Sequence, residues 1–174
     1  DALMEPEEVA EAFDILESSG KVRHFGVSNH NPSQIKLLKK GVKQPIEANQ
    51  LQFGLGHAGM VSRGMEVNVH SDGAASRDGG ILDYCRLKDI TIQTWSPFQY
   101  GFFKGNFVDN PDFPELNAKL DEIAQKYSLS KTGVAAAWIM RHPANIQLIA
   151  GTMNPEHLRD IRKAADVTLS RSEW

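Results

Sequence analysis

Between residues 5 and 19 the apolar side chains Val9, Ala12, Phe13 and Leu16 recur with the period of one helical face. Gly20 stands where that helix's C-terminal cap is expected. Residues 24–28 (His24-Phe25-Gly26-Val27-Ser28) then read as a short strand ending in polar residues. Asn31 and Pro32 supply the N-cap and first position of a second helix, with Ile35 and Leu38 facing inward. Ile46–Leu51, bounded by Pro45, reads as the next strand. From Phe53 to Gly80 no period is sustained, which predicts a long glycine-rich insert of the kind that is usually functional or mobile. A helix over Ile81–Leu87 and a strand over Ile90–Thr94 follow, then an aromatic-rich loop over 98–114. Leu116, Leu120, Ile123, Ala124 and Tyr127 mark a strongly periodic helix. The next helix, near Lys131–Arg141, is apolar all round from Val134 to Met140, as befits packing on both sides. Ile146–Ala150 is the last strand, and Asn154-Pro155-Glu156 opens a helix predicted to bury Leu158, Ile161 and Ala165.

The resulting order, α, β, α, β, α, β, α, α, β, α, predicts an α/β fold whose parallel strands are covered by helices. A doubly wound sheet can close with so few strands, whereas a barrel of eight takes about 250 residues. Ser170 with Glu173 has the spacing of a capping box, so the chain reads as ending in the opening of a helix, a fragment at both ends.

Composition narrows the function classes. The 174 residues are 41% hydrophobic and 24% charged, ordinary for a globular domain. A net charge of -3 gives no electrostatic reason to expect nucleic acid or an anionic membrane surface. No apolar run approaches the ~20 residues of a membrane span, and the opening residues lack the basic and apolar segments of a secretory signal. The single cysteine, Cys85, excludes an internal disulfide and suits a reducing cytoplasm, the expected location. It reads either as a small buried helix residue or as a reactive thiol.

Three stretches carry candidate chemistry, each where a strand-like run gives way to a polar turn, the place where repeating β-α folds bind ligands. Ser28-Asn29 and Gln50 end neighbouring strands and offer both donors and acceptors, as a carboxamide requires. Trp95, within Thr94-Trp95-Ser96-Pro97-Phe98, can stack on a planar ring or fill the core. Gly151, Thr152 and Asn154 precede a helix whose N–H groups and dipole attract anions, with His157 and Arg159 close behind. Gly54-Leu55-Gly56-His57-Ala58-Gly59 matches G-x-G-x-x-G, but a polar strand before it and an alternating, glycine-interrupted stretch after it argue against a dinucleotide fingerprint. The six histidines lack metal-ligand spacing, so no metal is expected, and no Gly-x-Ser-x-Gly elbow is present.

Read together, residues 21–29 (Lys21 to Asn29), Asn49-Gln50, residues 94–98 and residues 151–156 resemble the aldo-keto reductase superfamily in order and over nearly the whole chain. That resemblance implies a (β/α)8 TIM barrel, of which this chain covers roughly the last four β/α units, residues 1–174 forming a partial, cofactor-binding half. It implies a parent enzyme reducing aldehydes and ketones to alcohols with NADP(H), with NAD(H) the alternative. Ser28, Asn29 and Gln50 match the positions that hold the nicotinamide carboxamide, and Trp95 the one that stacks on its ring. Ser96 and Phe98 match the pyrophosphate turn, and Gly151, Thr152, Asn154 and His157 the segment at the adenosine ribose or 2′-phosphate. The family's commoner Lys and Arg are here Gly151 and His157, a departure that bears on NADP against NAD, with Arg159 the candidate substitute for the arginine.

No residue matches the catalytic Asp, Tyr, Lys or His, so no catalytic residue is assigned and this chain alone is expected to be inactive. The partner set implied is a small carbonyl substrate, with no nucleic acid and no membrane, together with self-association or a missing N-terminal half. The rival reading is a truncated module that binds nucleotide or a partner without turnover. A third, a free-standing flavodoxin-like domain, lacks a phosphate loop after the first strand. Phe98, Tyr100, Phe102 and Phe103 are candidate substrate-pocket lining, or packing beneath a lid.

Overall fold

The computed structural model describes residues 3–62, 79–101 and 104–174. Along them run α1 (Pro6–Ser18), β1 (Phe25–Ser28), α2 (Pro32–Leu38), β2 (Ile46–Gln52), α3 (Gly59–Ser62), α4 (Ile81–Leu87), β3 (Thr91–Trp95), α5 (Pro114–Tyr127), α6 (Lys131–Met140), β4 (Gln147–Leu148) and α7 (Pro155–Ala164). The strands are ordered β1-β2-β3-β4. Both β1 with β2 and β3 with β4 pair in parallel, with Ser28 opposite Gln50 and Thr94 opposite Leu148. Parallel neighbours joined through helices are the β-α-β arrangement that the alternating pattern predicts.

The chain divides into two compact units. The first comprises residues 1–50 and 60–92. Its core gathers Leu38, Val42 and Ile46, against which Met4, Val9, Ala10, Phe13 and Val27 pack. Phe13 stacks on Phe25 at a centroid distance of 4.2 Å. α1 ends in a Schellman pattern, Gly20 N–H donating to Glu17 O and Lys21 N–H to Leu16 O. α2 carries a full capping box: Asn31 Oδ1 accepts from Gln34 N–H at 2.9 Å, and Gln34 Oε1 accepts from Asn31 N–H at 2.8 Å. Gln44, buried, donates from Nε2 to both Asp14 (2.7 Å) and Glu17 (2.9 Å) of α1. That bond, with the Lys43 ammonium at 3.0 Å, holds the Asp14 carboxyl below its ordinary pKa.

The second unit comprises residues 51–59 and 93–174. α6 is its centre. Gly133 to Ile139 are all buried, and the helix packs on α5, α7 and β4. An apolar run with no polar face suits that position between two helices and a strand.

Several expectations shift. Ala12 is exposed, and Ala10 takes the inward place. α7 buries Ile161 and Ala164; Leu158 remains 44% exposed and Ala165 is exposed, because only a narrow stripe of this helix reaches the core. The last strand shrinks to Gln147–Leu148, although Ile149 N–H still donates to Thr94 O at 3.1 Å. The stretch after Phe53 is not wholly irregular, since α3 forms one turn at Gly59–Ser62; its remainder from 63 to 78 lies outside the described residues. Nor is the 98–114 loop structureless. Gln99 and Asn106 form an antiparallel bridge, Phe107 N–H donates to Phe98 O, and Phe107 is fully buried.

Candidate functional site

In the first unit the polar cluster is built where β1 and β2 end together. Asn29 N–H donates to Gln50 O at 2.9 Å, and Ser28 Oγ donates to the same carbonyl at 3.3 Å. Asn29 holds φ +54°, the left-handed conformation that Asn tolerates better than most residues. Ser28 and Asn29 are exposed and Gln50 half-buried. Beneath them Asn49, fully buried, donates from Nδ2 to His30 O at 2.8 Å, while His30 Nδ1 donates to Ser28 O at 2.9 Å. The turn carrying Ser28 and Asn29 is thus tied to β2 at both Asn49 and Gln50. Asn49, part of the Asn49-Gln50 motif but given no role there, is a positioning residue; its signal is an amide in mid-strand, where an apolar residue is expected.

Asn49 also hydrogen-bonds the Cys85 thiol, which lowers that group's pKa, but burial dominates and pushes it up to about 11. A buried thiol of that kind is a core residue and not a nucleophile. The blander reading of Cys85 is the one its surroundings support.

In the second unit the turn after β3 and the start of α7 enclose a cavity of about 510 Å³. Its wall includes Trp95, Ser96, Phe98, Gly151, Thr152 and His157. Gln99, Asn106, Thr132 and Asp160 add further polar groups to it. Ser96 takes φ +47° and its carbonyl accepts from Gln99 N–H, so the chain doubles back directly after the strand. Gly54 lies against this turn: a Cβ there would run into the Pro97 carbonyl oxygen. The Gly54 amide itself donates to His57 O and its carbonyl accepts from His57 N–H. The glycines of 54–59 therefore permit close backbone packing and a tight turn, and do not form a phosphate-binding loop.

Asn154 is not in the cavity wall. It is the N-cap of α7, its Oδ1 accepting from Glu156 N–H at 2.9 Å, and its own N–H donates to Thr152 Oγ1 at 3.1 Å. Asp160 accepts a hydrogen bond from the Ser130 hydroxyl, whose oxygen also caps α6 by accepting from Gly133 N–H. That link fixes Asp160 against the α6 N-terminus. Of the two candidate pocket aromatics among the described residues, Phe98 lines the cavity, while Tyr100 packs on Phe113 with centroids 4.7 Å apart. Phe102 and Phe103 lie outside the described residues. Among the described residues no group of His, Cys, Asp and Glu could hold a metal ion, and no helix is long and apolar enough to cross a membrane.

The sequence profile of the Aldo/keto reductase family matches residues 1–174. The chain belongs to this family. It is 31% identical over 175 residues to a 6-dehydroglucose reductase of Agrobacterium fabrum, a match that takes in 100% of this chain and 52% of that protein. It is 30% identical to the oxidoreductase YdhF of Escherichia coli over 100% of this chain and 52% of that one. Among solved structures, the thermostable aldo-keto reductase Tm1743, crystallised with the inhibitor epalrestat, superposes with a TM-score of 0.72 at 23% identity, covering 99% of this chain and 54% of that one. An aldo-keto reductase of Klebsiella pneumoniae in complex with NADPH gives a TM-score of 0.69 at 22% identity over 98% and 52%. The chain spans about half the length of the relatives it matches. Its alternating parallel strands and helices are those of a partial (β/α)8 barrel.

Proposed function

We propose that this chain is the cofactor-holding half of an aldo-keto reductase, whose parent reduces small aldehydes and ketones with a nicotinamide dinucleotide. The observation that carries the proposal is the gathering of Trp95, Ser96, Phe98, Gly151, Thr152 and His157 around one cavity. These residues come from two segments more than fifty positions apart, each of which resembles in sequence a cofactor-binding segment of the family. The NADPH bound to the Klebsiella enzyme supports a nicotinamide dinucleotide as the ligand class.

When bound, that group supplies a hydride. The chain's own part is to bind and orient it. Trp95 offers a ring face for stacking. Ser28, Asn29 and Gln50 offer amide and hydroxyl groups at a rigid strand end, where a carboxamide needs donors and acceptors together. Ser96 and Thr152 offer hydroxyls toward the phosphates and ribose, and Asn154 shapes the α7 entry as its cap. Residues 1–174 supply no match to the proton donor of carbonyl reduction, so turnover belongs to the parent with its N-terminal half.

The test is direct. Adding dinucleotide to the protein should quench tryptophan fluorescence, and Trp95→Leu should abolish most of that quench. Mixing with an N-terminal half should then produce aldehyde-dependent oxidation of the reduced cofactor. An unquenched spectrum at saturating dinucleotide would defeat the cofactor assignment. Quenching without turnover in the mixture would favour the alternative, a non-catalytic nucleotide-binding or interaction module. The same proposal places the protein in the cytoplasm, independent of nucleic acid and membrane, and self-associating when it lacks the other half.

A further inference from the structure

Cys85 of α4 is fully buried and has no place among the cofactor contacts proposed above. What it does have is a hydrogen bond to Asn49. That bond favours the thiolate over the thiol, so the Asn49 amide donates it to sulfur. Asn49, also fully buried, donates from Nδ2 to His30 O at 2.8 Å as well. An amide nitrogen has two hydrogens to give, and both are used in this way. Asn49 Oδ1 has no hydrogen-bond partner among the described residues, so the nitrogen alone anchors the side chain.

The turn above needs an anchor of this kind. Asn29 sits at φ +54°, a conformation that costs any L-residue something, if Asn less than most. Ser28 O accepts from His30 Nδ1, and His30 O accepts from Asn49, so residues 28–30 are held at both ends. Asn49 holds the His30 carbonyl only while its own amide is fixed. Without an acceptor on α4, one of its hydrogens would be buried and unpaired, and the side chain would swing to satisfy it. Resting on the cofactor reading above, we infer that Cys85 is a positioning residue for the nicotinamide carboxamide, acting through Asn49 and His30 on the Ser28-Asn29 turn. It acts as a hydrogen-bond acceptor; no bond to sulfur forms or breaks, and neither buried side chain touches the ligand. Binding and thiol access are then linked. A dinucleotide held by the turn opposes the opening that uncovers Cys85, and loss of the Cys85 anchor weakens the dinucleotide in return.

Tryptophan quenching measures the affinity for NADH or NADPH, whichever the unaltered protein binds more tightly. Cys85→Ala removes the acceptor and should weaken binding about fivefold, the net strength of one ordinary hydrogen bond. Cys85→Ser keeps an acceptor for Asn49 in nearly the same shape and should bind within about twofold of the unaltered protein. Thiol labelling of the unaltered protein gives the reciprocal reading, whether or not the alanine variant folds. Dinucleotide at about ten times its Kd should slow the reaction of Cys85 about tenfold. Cys85→Ala at full affinity overturns the inference, as does a Cys85→Ser as weak as Cys85→Ala, which would make the thiol packing alone. So does labelling that saturating dinucleotide leaves unslowed. Binding of neither dinucleotide by the unaltered protein would instead defeat the cofactor reading itself, and the inference with it.

Discussion

Trp138 and Trp174 are bound to each other twice over: their rings stack at 5.3 Å with an interplanar angle of 11°, and each indole donates to the other's backbone carbonyl. The Trp138 Nε1 to Trp174 O distance is 3.0 Å and the reciprocal one 2.9 Å. Phe53 also stacks on Trp138, at 5.2 Å. An aromatic pair with both polar handles satisfied is a firm clasp between α6 and residue 174. Trp138→Phe keeps most of the buried area but removes the hydrogen bond to Trp174 O, a carbonyl on an exposed residue that water can then reach. It should lower stability by about 0.5–1.5 kcal/mol in urea unfolding. Its near-ultraviolet circular dichroism should lose the signal of the fixed indoles.

Asn117 organises the aromatic loop. Buried on α5, it donates from Nδ2 to Phe107 O and Phe113 O, each at 2.9 Å, and accepts from Asp109 N–H at 2.7 Å. Asn117→Ala removes all three bonds, but Phe113 O and Phe107 O keep the Asn117 and Asn110 backbone N–H groups as donors and Asp109 is exposed. The change should therefore cost about 1–3 kcal/mol, about 0.5–1.5 for each bond lost before water replaces any of them. Hydrogen exchange should accelerate at Asp109 and its neighbours, while α7 keeps its protection. Uniform acceleration would show that the side chain matters only to global stability.

Glu173 gives the second unit an acid limit. Lys126 donates to its Oε1 at 2.6 Å, and Ser170 N–H and the Tyr127 hydroxyl each donate to its Oε2 at 2.8 Å. Lys126 first, then Ser170 and Tyr127, hold the carboxyl at about 2, against an ordinary 4.5. The folded value is the depressed one, so this group's contribution is complete above pH 4.5 and is lost as pH falls toward 2. Glu173→Gln should therefore flatten the dependence of the urea midpoint on pH within that window and leave it unchanged in shape above it.

Cys85 should be inert while the protein is folded. With its thiol pushed up to about 11 and the side chain fully buried, thiolate is scarce at neutral pH. Labelling by a thiol-specific disulfide reagent should follow the rate of opening and become immediate in denaturant. Fast labelling of the native protein at pH 7 would contradict this burial.

The sequence by itself determined the order and type of the elements other than the one-turn α3. Apolar spacing marks α5 and α6, Asn31-Pro32 and Asn154-Pro155 mark the starts of α2 and α7, and polar turns mark the strand ends. Those signals are local, written within one or two turns of the residues they govern. Ser170 and Glu173 also meet as their spacing predicts, Glu173 N–H donating to Ser170 Oγ while Ser170 N–H donates to the Glu173 carboxylate. What only the tertiary structure decided depends on partners distant in the chain. It turned Asn49 from a polar oddity in a strand into the tie beneath the Ser28-Asn29 turn. It showed that Gly54 is required by the Pro97 carbonyl and not by a phosphate. It also set Asp160 in the wall of the cavity that Trp95 and His157 share, where its charge meets whatever enters; neighbours in the chain cannot fix such a placement, because it arises only when separate β-α segments pack together.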